Sequence, residues 1–172
     1  MLTFKIADTK EEFEQIFCLN YETFALEIPQ HQKNESRRLI DKFHHENTYF
    51  ICKKGNELIA MIAYRNQRPF SLDHKLPNLD SYFPHGKTKP CELRLLSVKK
   101  EYRGGKIFFQ IALQLMQYVL NQDCDIALIS GTTKQEKLYK HIGFVPFAHL
   151  VGDEKAKFQP MLITHETIAL KI

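Results

Sequence analysis

The stretch Cys91–Phe109, CELRLLSVKKEYRGGKIFF, joins three pieces that together can hold an anion. An apolar strand pattern runs into a basic turn with adjacent glycines, Gly104 and Gly105, and a helix pattern starts at once. The strand brings backbone to the site and the glycines let it approach closely. The helix N-terminus then aims unpaired amides and a positive dipole end at the ligand. Lys99, Lys100, Arg103 and Lys106 add positive charge around that point. A phosphorylated ligand suits this order. The other titratable residues offer less. His44-His45 lacks further ligands for a metal, and exposure explains the pair. His74 and His85 lie in a proline-rich stretch, where either could act as a base, and His141 is expected to face solvent. Ser130-Gly131-Thr132 ends a strand before a helix, where Ser130 could hydrogen-bond a ligand. No Ser-His-Asp order and no GxSxG is present, so nothing points to a hydrolase. No metal site is expected.

The elements that must position these residues fit one domain spanning residues 1–172. Hydrophobic residues make up 44% and charged residues 26%, which argues against disorder. The net charge of +4 suits a small anionic ligand. The basic cluster is too local for a nucleic-acid track, so no nucleic-acid partner is expected. Cys18, Cys52, Cys91 and Cys124 form no CxxC pair and sit in apolar patterns. Buried free thiols in a reducing compartment follow. The start, MLTFKIADTK, lacks a signal-type apolar run, and no apolar run reaches membrane-spanning length. A cytoplasmic location is expected.

Leu2–Ala7 reads as a strand. Thr9 and Glu12 make a capping box for a first helix with Phe13, Ile16, Phe17, Tyr21 and Phe24 inward. Pro29 stops it. A second helix is predicted over Ser36–His44, with Leu39, Ile40 and Phe43 inward. Thr48–Lys53 and Glu57–Arg65 flank Lys54-Gly55-Asn56 as a hairpin. Asn66–Pro90 contains Pro69, Pro77, Pro84 and Pro90 and reads as a long loop insertion. Its apolar residues, Phe70 and Leu72 among them, imply that it folds back over something. Glu92–Val98 is a strand, with Cys91, Leu93 and Leu95 on one face and Glu92, Arg94 and Leu96 on the other. A helix over Lys106–Asn121 and a strand over Asp125–Ser130 follow. Thr133 and Glu136 offer a second capping box, for a short helix with Leu138 and Ile142 inward that stops at Gly143. Phe144–Leu150 and Phe158–Thr164 close the chain as strands. The strand–helix–strand unit needs a parallel pair, while the hairpins need antiparallel neighbours. The fold class is therefore α/β (α+β): a mixed, mostly antiparallel sheet with helices on both faces.

Two segments, LSVKKEYRGGKIF (96–108) and KLYKHIGFVPF (137–147), resemble the Gcn5-related N-acetyltransferase superfamily. The first is similar to the family's strand, basic turn and pyrophosphate-binding helix. The second is similar to its helix ending in Tyr, then Gly-Phe. The family usually reads Arg-x-x-Gly-x-Gly or Ala through the turn. Here Lys106 and Phe108 occupy the glycine positions, Thr132 replaces the usual Asn, and the 66–90 link is long. CELRL also resembles the Glu-x-x-Arg-like strand of the autoinducer synthase and N-acyl amino acid synthase branch.

The resemblance implies an acyl-CoA N-acyltransferase fold and an enzyme that moves an acyl group from a CoA thioester to an amine. Acetyl-CoA and a primary amine of a small molecule are the first expectation, with direct attack in a ternary complex. A longer acyl donor, on CoA or on an acyl carrier protein, is the alternative. A non-catalytic acyl-CoA-binding or interaction domain is the third reading. A homodimer is compatible with each. Leu96, Ser97 and Val98 would pair with pantetheine, and the Val98 amide would meet the oxyanion. Backbone amides from Arg103, Gly104, Gly105, Lys106, Ile107 and Phe108 would meet the pyrophosphate. Tyr139 matches the family's general acid for the departing thiolate. Glu92 is the candidate base or the salt partner of Arg94, and Arg94 could instead bind a substrate carboxylate through its fork.

Overall fold

The computed structural model describes residues Met1–Ile172. Two compact units emerge: Met1–Tyr64 with Leu95–Leu115, and Arg65–Arg94 with Met116–Ile172. In the first, β1 (Leu2–Ile6) leads through Thr9 into α1 (Lys10–Tyr21). The predicted capping box forms. The Glu12 amide donates to Thr9 Oγ1 at 3.2 Å, and the Thr9 amide returns a bond to Glu12 Oε2 at 3.3 Å. β2 (Thr48–Lys54) and β3 (Glu57–Arg65) make the predicted hairpin around Gly55, whose φ of 60° explains the glycine. Gln15 of α1 pins that turn, accepting from the Leu58 amide at 2.8 Å and donating to the Asn56 carbonyl at 3.0 Å. Ile16, Phe17, Leu19, Tyr49, Ile51, Leu58 and Met61 form the core between this helix and hairpin. Cys18 is exposed, whereas the other three thiols are buried as expected.

The predicted helix over Ser36–His44 does not form; a 3₁₀ turn at His44–Glu46 is the only helical piece there. Asn34 and Ser36 bond locally instead, Ser36 Oγ donating to Asn34 Oδ1 at 2.8 Å. Arg37 takes a φ of 54°, which no helix tolerates. The Leu39 amide bonds to the Phe17 carbonyl at 3.0 Å rather than within its own segment. α1 continues as a π-helix over Glu22–Glu27, within the first helix's predicted reach to Pro29. His44 is not a solvated histidine. Its ring packs edge-on against Phe13 and Phe17, its Nδ1 lies 3.1 Å from Tyr49 Oη, and burial lowers its pKa.

Glu12 is the buried carboxylate of this unit. Besides Thr9 it accepts from the Asp8 amide at 3.0 Å, from Lys5 at 3.1 Å and from Lys53 at 3.2 Å. Burial alone would raise its pKa, but the Asp8 amide, the two lysines and the Thr9 amide outweigh it and bring it to about 2 from an ordinary 4.5. The stability this provides is complete above pH 4.5 and is lost as pH falls through 2. Urea melts should therefore show Glu12→Gln less stable than the parent at neutral pH by about 2 kcal/mol, with the gap closing in acid. An equal gap at both pH values would contradict this account.

In the second unit, β4 (Pro90–Val98) contributes Pro90–Leu93, which run parallel to Ile126–Ile129 of β5 (Ile126–Thr132). α3 (Lys106–Leu120), whose first ten residues belong to the first unit, supplies the crossover. β8 (Lys157–Thr164) pairs antiparallel with the whole of β5. The predicted strand over 144–150 shrinks to β6 (Val145–Pro146), and β7 (Val151–Gly152) follows; both lie on β8. The eight strands run in the order β1-β2-β3-β4-β5-β8-β6, with β7 also on β8, so the sheet is mixed and mostly antiparallel as expected.

α4 (Glu136–Ile142) lacks the predicted Thr133 cap, because a 3₁₀ turn over Thr133–Gln135 precedes it. It stops at Gly143 as expected, with φ 122°. A terminal helix not foreseen from sequence, α5 (His165–Lys171), starts on Thr164, whose Oγ1 accepts from the Thr167 amide at 3.2 Å. The 66–90 segment is ordered by α2 (Ser71–Lys75) and a 3₁₀ turn at Leu79–Tyr82. Phe70, Leu72, Leu76 and Leu79 are all buried, so its apolar residues do fold inward. Arg68 ties the segment together, donating to Asp73 through Nε at 3.1 Å and to Asp80 through Nη1 at 2.7 Å.

Candidate functional site

The glycine turn lies in the first unit. β4 alternates only as far as Arg94. Leu95 takes a φ of 59°, a conformation costly for a bulky side chain, and packs against the Ile16–Met61 core. The predicted grouping of Leu95 with Cys91 and Leu93 on one face therefore fails at this residue. Beyond it Ser97 is buried, and Leu96 and Val98 are half-buried. The Lys99 amide bonds to the Ile59 carbonyl of β3 at 2.9 Å, and a 3₁₀ turn over Lys100–Tyr102 leads to the glycines.

Gly105 explains the displaced glycine. Its φ is 92°, and its carbonyl accepts from the Phe109 amide at 2.8 Å as the opening bond of α3. A left-handed residue immediately before the helix needs glycine. Gly104 has open space around it. The amides of Lys106, Ile107 and Phe108 form the first turn of α3, where helical partners are lacking. Lys100 and Lys106 are exposed. Lys99 is committed to Glu57 at 2.8 Å. Arg103 is committed as well: its Nε donates to the Val98 carbonyl at 2.8 Å, and its Nη1 and Nη2 meet the two Glu27 oxygens at 2.9 and 3.0 Å.

The second unit holds Glu92, Arg94, Ser130 and Tyr139. Glu92 is buried on β4 with both oxygens occupied. Oε1 accepts from the Ser71 amide at 3.1 Å; Oε2 accepts from Ser71 Oγ at 2.9 Å and from the Leu72 amide at 3.1 Å. Arg94 Nε lies 3.2 Å from Oε1. Of the two readings of Glu92, the geometry supports the salt pair and adds a second duty, holding the start of α2. Ser130 Oγ is buried without a hydrogen-bond partner, which suits a hydroxyl kept for a ligand.

Tyr139 is buried at 3% exposure and edge-on to Phe144, with centroids 6.1 Å apart. Leu138 and Ile142, predicted inward, are only half-buried, so the tyrosine is the inward residue of α4. Burial pushes its phenol above the ordinary value and keeps it protonated. Its Oη donates to Gln135 Oε1 at 3.4 Å, and Thr132 Oγ1 donates to the same oxygen at 3.2 Å. Gly131 makes room for it: a Cβ there would sit 2.7 Å from the ring. Gln135 and Gly131 were not singled out as site residues from the sequence. The apolar run that ends in Ser130-Gly131 held the only available signal, a glycine in a strand, which marks a close approach.

The fold recurs among solved proteins. The chain superposes on BjaI, a CoA-dependent acyl-homoserine lactone synthase, with a TM-score of 0.75 at 17% identity, over 92% of this chain and 79% of that one. FeeM, an N-acyl amino acid synthase from uncultured soil microbes, gives 0.76 at 16% identity over 99% and 94%. Escherichia coli ElaA gives 0.67 at 14% over 94% and 99%. At these identities the likeness establishes the fold. No curated relative matches the chain by sequence. The acetyltransferase (GNAT) family model matches residues 11–144, from α1 to the residue after Gly143. That match spans most of the chain, the whole 96–108 motif and the second motif as far as Phe144, and the chain belongs to the acetyltransferase (GNAT) family.

Proposed function

We propose that the protein is an N-acyltransferase that takes an acyl group from a CoA thioester and passes it to the amine of a small molecule by direct attack. The observation that carries this reading is the strand–turn–helix at Leu96–Phe108, with Gly105 in the left-handed region directly before α3. The amides of Arg103 to Phe108 bind the pyrophosphate, helped by Lys100 and Lys106. Leu96 to Val98 align the pantetheine arm, and the Val98 amide stabilises the oxyanion. Tyr139 supplies a proton to the departing thiolate, and Ser130 offers a hydroxyl to pantetheine or acceptor. Arg94, steadied by Glu92, favours an acceptor that carries a carboxylate. The residues present suit a CoA thioester, which brings the activated acyl carbon.

Acetyl-CoA is the simplest donor. Longer acyl donors form a second reading, favoured by the superposition on BjaI, an acyl-homoserine lactone synthase, and FeeM, an N-acyl amino acid synthase. Thiol release from CoA esters of rising chain length, over a panel of amines and amino acids, tests both. Turnover that peaks with acetyl-CoA supports the first and rejects the second. CoA-ester binding without turnover on any amine would reject the enzyme reading itself.

A further inference from the structure

Arg103 is the guanidinium of the glycine turn, and Glu27 occupies both of its Nη groups. The two Nη–Oε distances of 2.9 and 3.0 Å make a bidentate fork, and phosphate presents the same spacing of oxygens. The third donor, Nε, stays on the Val98 carbonyl at 2.8 Å. Arg103 can thus change its Nη partner without leaving the strand end. Both side chains reach water, at 41% and 30% exposure, so exchange needs no buried charge to be stranded. We propose that Glu27 is an internal competitor for the phosphates of the donor. It holds Arg103 in the unliganded protein, is displaced by CoA, and thereby sets donor affinity. The proposal rests on the donor reading above.

A structural consequence follows. Glu27 is the last residue of the π-helix, and the amides just beyond it are held by that helix. Ile28 bonds to the Thr23 carbonyl at 2.7 Å, and Gln30 and His31 bond to the Phe24 carbonyl at 3.1 Å. Such helices are uncommon and concentrate at functional positions. Loss of the Arg103 anchor removes an ion pair from this end, so donor binding and the order of residues 28–31 are linked, each weakening the other.

Calorimetry with CoA on the full chain and its Glu27→Gln variant tests the proposal at low salt and at about 0.5 M salt. The variant is expected to bind CoA about tenfold more tightly at low salt, with a smaller gain at high salt. Equal affinity, or weaker binding by a variant that melts at the parent temperature, overturns it. Should the variant melt early, hydrogen exchange on the parent decides. Faster exchange at Ile28, Gln30 and His31 on adding CoA supports the competitor role, and unchanged or slower exchange overturns it. If neither protein binds CoA, the donor reading falls and this proposal with it; binding with equal affinity removes the proposal alone.

Discussion

Tyr139→Phe is expected to lower kcat about a hundredfold while leaving the Kd for CoA within about twofold. The substitution removes one hydroxyl and keeps the ring that fills the space beside Gly131 and packs against Phe144. Binding and folding therefore change little. The chemistry changes more, because the thiolate loses its proton donor. Burial raises the phenol above an ordinary value near 10, so it stays protonated throughout the working range. A thiol titrates lower, near about 8.5, so the phenol acts through a hydrogen bond to the charge that builds on sulfur, and the proton released by the attacking amine replaces any that the phenol gives up. Two readouts follow. The pH profile of the parent should show no alkaline fall from this group below pH 10, and the variant should lose kcat at every pH. Rapid-quench measurement of thiol release separates chemistry from product release. A variant with parental kcat in that assay would remove Tyr139 from the reaction.

Most local signals in the sequence survived, the Thr133 cap excepted, while long-range side-chain partners were not legible. The Thr9–Glu12 capping box, the Gly55 hairpin and the Gly143 stop each depend on residues within one turn, and all three formed. Ser36–His44 carried a helical spacing of apolar residues, yet the backbone there bonds to α1, a partner that sequence spacing does not encode. The same holds at the candidate site. The pattern located the glycine turn and Tyr139, because both sit in short motifs. It could not show that Arg103 is held by Glu27, separated by 76 positions. Nor could it show that Glu92 is spent on Ser71, 21 positions away. The double glycine illustrates the middle ground. The family spacing made it look misplaced, and only the φ of 92° at Gly105 shows which turn it serves.

Glu92→Ala is expected to be the most destabilising single change at the site, by about 3–5 kcal/mol, read as a fall of roughly 10 °C in Tm. The carboxylate is 1% exposed and accepts three hydrogen bonds from the first residues of α2. Removing it leaves the Ser71 and Leu72 amides without an acceptor and takes from Arg94, at 13% side-chain exposure, the oxygen 3.2 Å away. Leu72 is fully buried, so water does not replace the acceptor its amide loses, and that costs more than the bond itself contributes. Glu92→Gln keeps the shape and one acceptor oxygen, so its loss should be about half as large. The two variants also separate the roles open to Glu92. If the carboxylate holds Arg94 and α2, Glu92→Gln raises the acceptor KM several-fold and leaves the pH dependence of kcat in place. If the carboxylate takes the amine proton, the same variant lowers kcat at least a hundredfold and abolishes the acidic limb, with little change in acceptor KM. The four partners already on its two oxygens favour the first outcome. A proton accepted there would force at least one of those donors to give up its bond.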